Sequence, residues 1–169
     1  MRWRPMLPRD LDAMAAVADR VHPGFPEDRA VFAERVSLHP QGCHVLELGA
    51  PQGGEEAIAG YVLSHPWRWG EPPALNSLLG VLPPDPTTYY VHDLALLPEG
   101  RGQGHAGAMV DHLSALAAKG GLDSLSLVAV NDSKGFWRRL GFEDQRSEAL
   151  ARRLASYGPD AAFMTKRVG

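Results

Sequence analysis

Tyr89 to Gly107 reads YYVHDLALLPEGRGQGHAG, and the fold is decided by this stretch. Tyr89 to Leu97 is aromatic and aliphatic and stops at Pro98, which is a strand signature. A glycine-rich loop, Gly100 to Gly104, follows. Beyond it Met109, Val110, Leu113, Leu116 and Ala117 fall on one side of a helix that ends at Lys119-Gly120-Gly121. A strand that passes through glycines into a helix N-terminus gathers backbone N–H groups and the positive end of the dipole at one point. That is an anion site suited to a pyrophosphate, and glycine serves it wherever the backbone must approach the ligand closely. The plainer reading, a simple strand-to-helix turn, stands beside it.

Gly102-Gln103-Gly104-His105-Ala106-Gly107 also fits G-x-G-x-x-G, the dinucleotide-binding fingerprint. Its context fits poorly. Pro98-Glu99-Gly100-Arg101 separates the strand from the first glycine. The ribose-binding acid expected about 20 residues on is matched only by Asp123, at the start of the next strand. The chain after Gly107 is too short and too strand-rich to complete a doubly wound sheet. A nicotinamide-dinucleotide-binding protein is therefore the weakest alternative.

The same loop reads Arg101-x-x-Gly104-x-Ala106. With the strand ending Leu94-Ala95-Leu96, a later strand ending in Asn131, and Phe136-Trp137-Arg138-Arg139-Leu140-Gly141-Phe142, it resembles the GNAT superfamily of N-acetyltransferases from Tyr89 to Phe142. The first 88 residues match that family only in element order. The resemblance implies one GNAT-like acetyltransferase domain over residues 1–169, with an acetyl-CoA-binding core at about 89–142. The expected fold class is α/β: a mixed, mostly antiparallel sheet of six to seven strands flanked by about four helices, with a V-shaped opening between the fourth and fifth strands. Pantetheine would pair with backbone groups near Leu94 and Leu96. Gly102, Gln103, Gly104, His105 and Ala106 would cradle the pyrophosphate, and Arg101 would meet a phosphate unless it is only a surface charge. Asn131 would sit at the strand end beside the cofactor, above the 132–140 helix. Lys134, Arg138 and Arg139 would approach the CoA phosphates or simply be solvated.

Outside this core the chain reads more coarsely. A short strand at 1–6 precedes an amphipathic helix at 8–21, on which Leu11, Met14, Val17 and Val21 recur at helical spacing. Pro26-Glu27-Asp28 starts a second helix, where the dipole favours both carboxylates, and that helix runs to about Leu38. Strands at 44–49 and 57–64 flank a hairpin signal, Pro51-Gln52-Gly53-Gly54. The long Pro/Trp-rich stretch 65–88 reads as a functional loop that hides a short helix at Leu75 to Leu82. A strand at Leu125 to Val130 and a helix at Asp132 to Leu140 follow. Final strands are expected at Phe142 to Glu148 and Phe163 to Val168, joined by a loop around Tyr157-Gly158-Pro159.

Composition narrows the function classes. With 17 Lys+Arg against 20 Asp+Glu, the balance is slightly acidic and argues against non-specific nucleic-acid binding. One cysteine, Cys43, excludes an internal disulfide and a multi-cysteine zinc site. His22, His39, His44, His65, His105 and His112 show no metal spacing, so no metal is assigned. No apolar run approaches the ~18–20 residues of a membrane helix, and Met1 to Asp10 has no apolar signal core. The expectation is a cytoplasmic protein whose partners are acetyl-CoA and a small-molecule or peptide amine, with homodimerisation left open.

Acetylating an amine requires a base to take a proton. Strand alternation puts Tyr90 and His92 on one face, with Tyr89, Val91 and Asp93 on the other unless the strand bulges. The resemblance places catalytic bases at positions matching Tyr90 and His92, and makes His92 the first choice. It also puts Trp137 where the family commonly carries its general-acid tyrosine; an indole N–H cannot protonate a thiolate, so Trp137 reads as packing or a wall of the CoA channel. Tyr157 and Ser133 are the substitute acids. Trp67 and Trp69 would line the acceptor pocket, or else pin their loop. The alternative from another class is a CoA-binding module with little catalysis.

Overall fold

A computed structural model describes residues 1–49 and 57–169. The expected turn at 51–54 lies outside these residues. The described elements are β1 (Arg2–Pro5), α1 (Leu11–Val21), α2 (Arg29–Leu38), β2 (His44–Glu47), β3 (Ile58–Trp67), β4 (Thr88–Leu96), α3 (His105–Lys119), β5 (Ser124–Ala129), α4 (Lys134–Arg139), β6 (Glu143–Gln145), α5 (Glu148–Arg153) and β7 (Ala162–Arg167). They build one seven-stranded sheet in the order β1-β2-β3-β4-β5-β7-β6. Every neighbouring pair is antiparallel except β4 and β5.

Alternation along the strands loads both faces with apolar side chains. Met14 and Val17 of α1 and Phe32 of α2 pack with Val45, Tyr61, Leu63, Ala95 and Leu97 on one face. Met109, Val110 and Leu113 of α3 and Trp137 of α4 pack with Val62, Val91, Leu94, Leu125 and Leu127 on the other. Each fully buried Leu or Val side chain stabilises the fold by roughly 1.5–3 kcal/mol, so this two-sided core is what holds the sheet.

Two features of the sheet create a site. The parallel rungs between β4 and β5 run only through Tyr89–Leu125, Tyr90–Ser126 and Val91–Leu127. Past them β5 continues against β7, and β4 against β3, so the sheet opens between its fourth and fifth strands. The second feature lies just where the rungs stop. Leu63 pairs with Asp93 but Ser64 with Val91, so His92 is an extra residue in β4, a β-bulge. The bulge corrects simple alternation: Asp93 does not point away from Tyr90 and His92. It reaches Tyr61, on the same face as Ala95 and Leu97.

The structure differs from the sequence reading in two other places. Residues 75–82 form no helix. Their backbone N–H groups are taken by side chains instead: Leu79 and Gly80 donate to Glu34, Asn76 to Glu27 and Leu75 to Ser156. The final two strands are not joined by loop alone. α5 is capped by Ser147, whose hydroxyl accepts from the Leu150 amide at 3.1 Å, and Leu150 and Leu154, one helical turn apart, pack on Phe163. This makes five α-helices among the described residues, rather than about four.

Candidate active site

A cavity of about 480 Å³ occupies the opening between β4 and β5. Its walls include Val91 to Leu96, Leu127, Val128, Asn131, Trp137 and, from outside the sheet, His22, Glu27 and Tyr157. Arg101 lines it as well, with Nε donating to the Leu96 carbonyl at 2.9 Å, so the guanidinium braces the end of β4. Trp137 is buried edge-on against Phe142, with ring centres 5.3 Å apart, and forms an apolar wall.

The glycine-rich loop meets α3 beyond the end of β4. Gly102 and Gly104 have φ of 75° and 80°, the left-handed region that favours glycine. No atom lies within 4 Å of where a Cβ would stand on either. Gly104 is the N-cap of α3 and supplies no side-chain cap, so the opening amides of the helix are left for an external acceptor. Trp3 Nε1 donates to the His105 carbonyl at 2.9 Å and ties this loop to β1, while Gln103 donates to the Glu99 carbonyl. Of the basic residues on α4, Arg138 is held by Asp144 at 3.0 Å. An anionic ligand fits this cradle: open space, left-handed glycines and an uncapped helix start.

Opposite the loop the cavity is lined by ionisable side chains. His92 Nε2 lies 2.8 Å from Glu27 Oε1, and its Nδ1 is buried without a partner. A carboxylate at Nε2 holds the proton there and leaves the Nδ1 lone pair free to accept one. Burial opposes ionisation of Glu27, but its bond and charge interaction with His92 and the bond from the Asn76 amide hold its pKa below the ordinary value. Reading Glu27 only as a helix-dipole residue missed this contact. It stands just before α2 and turns into the sheet.

A second dyad lies beside the first. His22 Nε2 is 2.9 Å from Asp93 Oδ1, its Nδ1 is 3.0 Å from Asn131 Nδ2, and the Tyr61 hydroxyl donates to the other Asp93 oxygen. Burial disfavours the His22 imidazolium, yet the Asp93 carboxylate outweighs it and raises the pKa above the usual histidine range. Burial likewise opposes the Asp93 charge, but His22 and Tyr61 hold its pKa down. No local motif announces His22; it follows α1 in a loop and reaches the site only through the packing of α1 on the sheet.

Tyr90 and Tyr157 meet through their hydroxyls, and Tyr157 also donates to the Pro73 carbonyl at 3.0 Å. Burial pushes both phenols above their ordinary pKa. Ser133, at the start of α4, lines the cavity. Trp67 and Trp69 are not brought to it. Trp67 Nε1 donates to the Glu71 carbonyl, and Trp69, 44% exposed, packs edge-on against Phe163, so both hold down their loop. Cys43 is fully buried and its thiol is pushed up to about 12 by burial, which makes it inert as a nucleophile. Among the described residues no group of three or more His, Cys, Asp or Glu could hold a metal ion, and no helix is long and apolar enough to cross a membrane.

A family model described as the acetyltransferase (GNAT) family matches residues 11–142. Among solved structures, a GNAT-like decarboxylase named GphF, in complex with isobutyryl-CoA, superposes with a TM-score of 0.75 at 20% identity, over 99% of each chain. Ard1 from Thermoplasma volcanium gives 0.70 at 14% identity, over 99% of this chain and 97% of the other. Rv2747 from Mycobacterium tuberculosis, in complex with CoA and NLQ, gives 0.69 at 15% identity over both full chains. At these identities the likeness is one of fold. No curated protein sequence matches the chain.

Proposed function

From a chain that belongs to the GNAT acetyltransferase family, we propose an N-acyltransferase that moves the acetyl group of acetyl-CoA to a primary amine by direct attack. The observation that carries this reading is the cavity itself. It lies in the parting of β4 and β5 and reaches from Arg101, in the loop that leads into the uncapped start of α3, to His92, a histidine with an unpartnered buried nitrogen. Gly102 to Ala106 bind the pyrophosphate of the donor substrate, and backbone near Leu94 and Leu96 pairs with its pantetheine arm. Asn131 and Trp137 flank that arm. His92, held by Glu27, takes a proton from the amine as its nitrogen attacks the thioester carbon. Tyr157 closes the acceptor end, and Tyr90 is buried behind it outside the cavity. The inert Cys43 favours direct attack over an acyl-cysteine.

A second reading, a CoA-binding module with little turnover, draws on Trp137 standing where a tyrosine acid is common in the family. One experiment separates the two. Purified protein is incubated with acetyl-CoA, and in parallel with isobutyryl-CoA, against a panel of amines, amino acids and peptides, and free thiol is scored. Amine-dependent thiol release supports transfer. Tight binding of the donors without release from any acceptor supports the module.

A further inference from the structure

We propose that His22 is the proton donor to the leaving thiolate, the role that Trp137 cannot fill. The proposal rests on the transfer reading and deepens it. The Tyr157 hydroxyl is committed to the Pro73 carbonyl and meets Tyr90 at the far wall. His22, by contrast, bridges the two sides of the opening. It bonds Asp93 just past the last β4–β5 rung and Asn131 just past the end of β5, and it lines the cavity between them. On this proposal the sulfur of a thioester held in that opening lies beside this bridge.

The hydrogen bonds fit a donor that recharges. In the neutral ring Nε2–H donates to Asp93 and Nδ1 accepts from the Asn131 amide. In the protonated ring Nδ1–H is the mobile proton, and the Asn131 amide turns to offer its oxygen. The groups acting on the ring are Asp93 from β4, Glu27 from the segment before α2, and Arg101 from the loop before α3, with Tyr61 of β3 behind Asp93. The two carboxylates favour the imidazolium and Arg101 opposes it, and Asp93 dominates among these charges.

The step balances. The amine nitrogen forms a bond to the thioester carbon and gives one proton to His92 Nδ1. The C–S bond breaks with its electron pair on sulfur, and the His22 Nδ1 proton passes to that sulfur. The products are an amide and free CoA thiol. Solvent returns the proton gained by His92 to His22.

Two measurements test this on the full chain. The first needs no acceptor: the thiol of bound CoA is titrated by its ultraviolet thiolate absorbance. The expectation is that it titrates at least about 1 pH unit lower in the wild type than in His22→Gln. The difference should persist in His22→Gln/Asp93→Asn, where no uncompensated carboxylate remains. The second is turnover. kcat should fall about 100-fold or more in His22→Gln while KM for acetyl-CoA changes less than about threefold. The wild-type loss of rate at high pH, where a general acid is unprotonated, should vanish in the variant. His22→Asn serves if the glutamine variant does not fold. Equal thiol titrations, a shift that disappears in the double variant, or an unchanged alkaline limb would overturn the assignment. A thiol shift without turnover on any amine would sink the transfer reading and leave His22 as the group that acts on the thiol.

Discussion

Beyond the Arg101 end of the cavity, Gly102, Gly104 and the first turn of α3 present open backbone supplied by one short run of chain. In the cavity itself, His92 with Glu27, and His22 with Asp93, Tyr61 and Asn131, make two hydrogen-bonded groups from side chains that belong to separate elements and loops. The first end is open, with no protein atom within 4 Å of a Cβ added at Gly102 or Gly104. The second is already hydrogen-bonded. Local conformation suffices to bind a phosphate, because amides and a dipole are carried by every helix start. Holding a proton at a chosen atom needs charges fixed by the tertiary structure.

The sharpest way to break this contrast is His92→Gln, which removes the free Nδ1 and leaves the loop intact. Loss of a general base typically costs 10²–10⁴-fold, or ~2.7–5.5 kcal/mol, so kcat should fall at least about 100-fold. Acetyl-CoA affinity, read by calorimetry, should be nearly unchanged. A variant with near wild-type kcat would clear His92 and return Tyr90 to the front.

pH tests the buried ring behind the cavity, His65 against Tyr90, through stability. Burial lowers the pKa of His65 to about 3, and its Nδ1 faces the Pro66 carbonyl while Nε2 has no partner. A histidine whose folded pKa is depressed contributes stability that is whole above its unfolded value near 6.5 and is lost as pH falls towards the folded value. Between pH 6.5 and 4 the wild type should lose up to about 3 kcal/mol from this group alone, at ~1.36 kcal/mol per unit. His65→Gln should flatten the melting-temperature curve over that window. Parallel curves would show that the ring is not buried neutral.

The donor end is probed by ligand-linked stability. Acetyl-CoA at about 100 Kd should stabilise the protein by ~2.7 kcal/mol, and NADH should not. Gly104→Val should abolish that gain, since a branched side chain is strained at φ 80° and fills the open cradle. Retention of the full shift in the variant would move the phosphate site elsewhere. The smallest effect is expected at Trp69→Ala. Losing the edge contact with Phe163 should cost about 1 kcal/mol of stability and change kcat less than threefold, because Trp69 does not line the cavity. A large change in acceptor KM would restore Trp69 to the pocket.

Legibility in the sequence follows the same division. Leu94 to Ala106 and the α3 pattern were readable because each feature is local: a strand stopped by Pro98, glycines at left-handed positions, and apolar residues at helical spacing. The helix at Glu148–Arg153 was readable in principle, since Ser147 before Glu148-Ala149-Leu150 is a capping signal, but the aromatic start at Phe142 drew the strand too far. The 75–82 segment repeats leucine, yet Asn76 and Gly80 take left-handed φ values and Glu34, far away in sequence, takes the Leu79 and Gly80 amides, so no helix forms.

By itself, then, the sequence determined the order of elements around Tyr89 to Phe142 and the glycine-rich loop at the start of α3. These depend on backbone preferences and periodicity, which neighbouring residues set. Only the tertiary structure decided that Asp93 joins His92 on one face, that His22 spans the opening, and that Glu27 holds His92. An extra residue in β4 shifts every side chain after it to the other face, and which residue is extra depends on the register with β3. His22 and Glu27 stand 71 and 65 positions from the groups they bond, Asp93 and His92. Nothing in the local chain constrains such pairs; α1 and α2 bring them together by burying their apolar faces on the sheet.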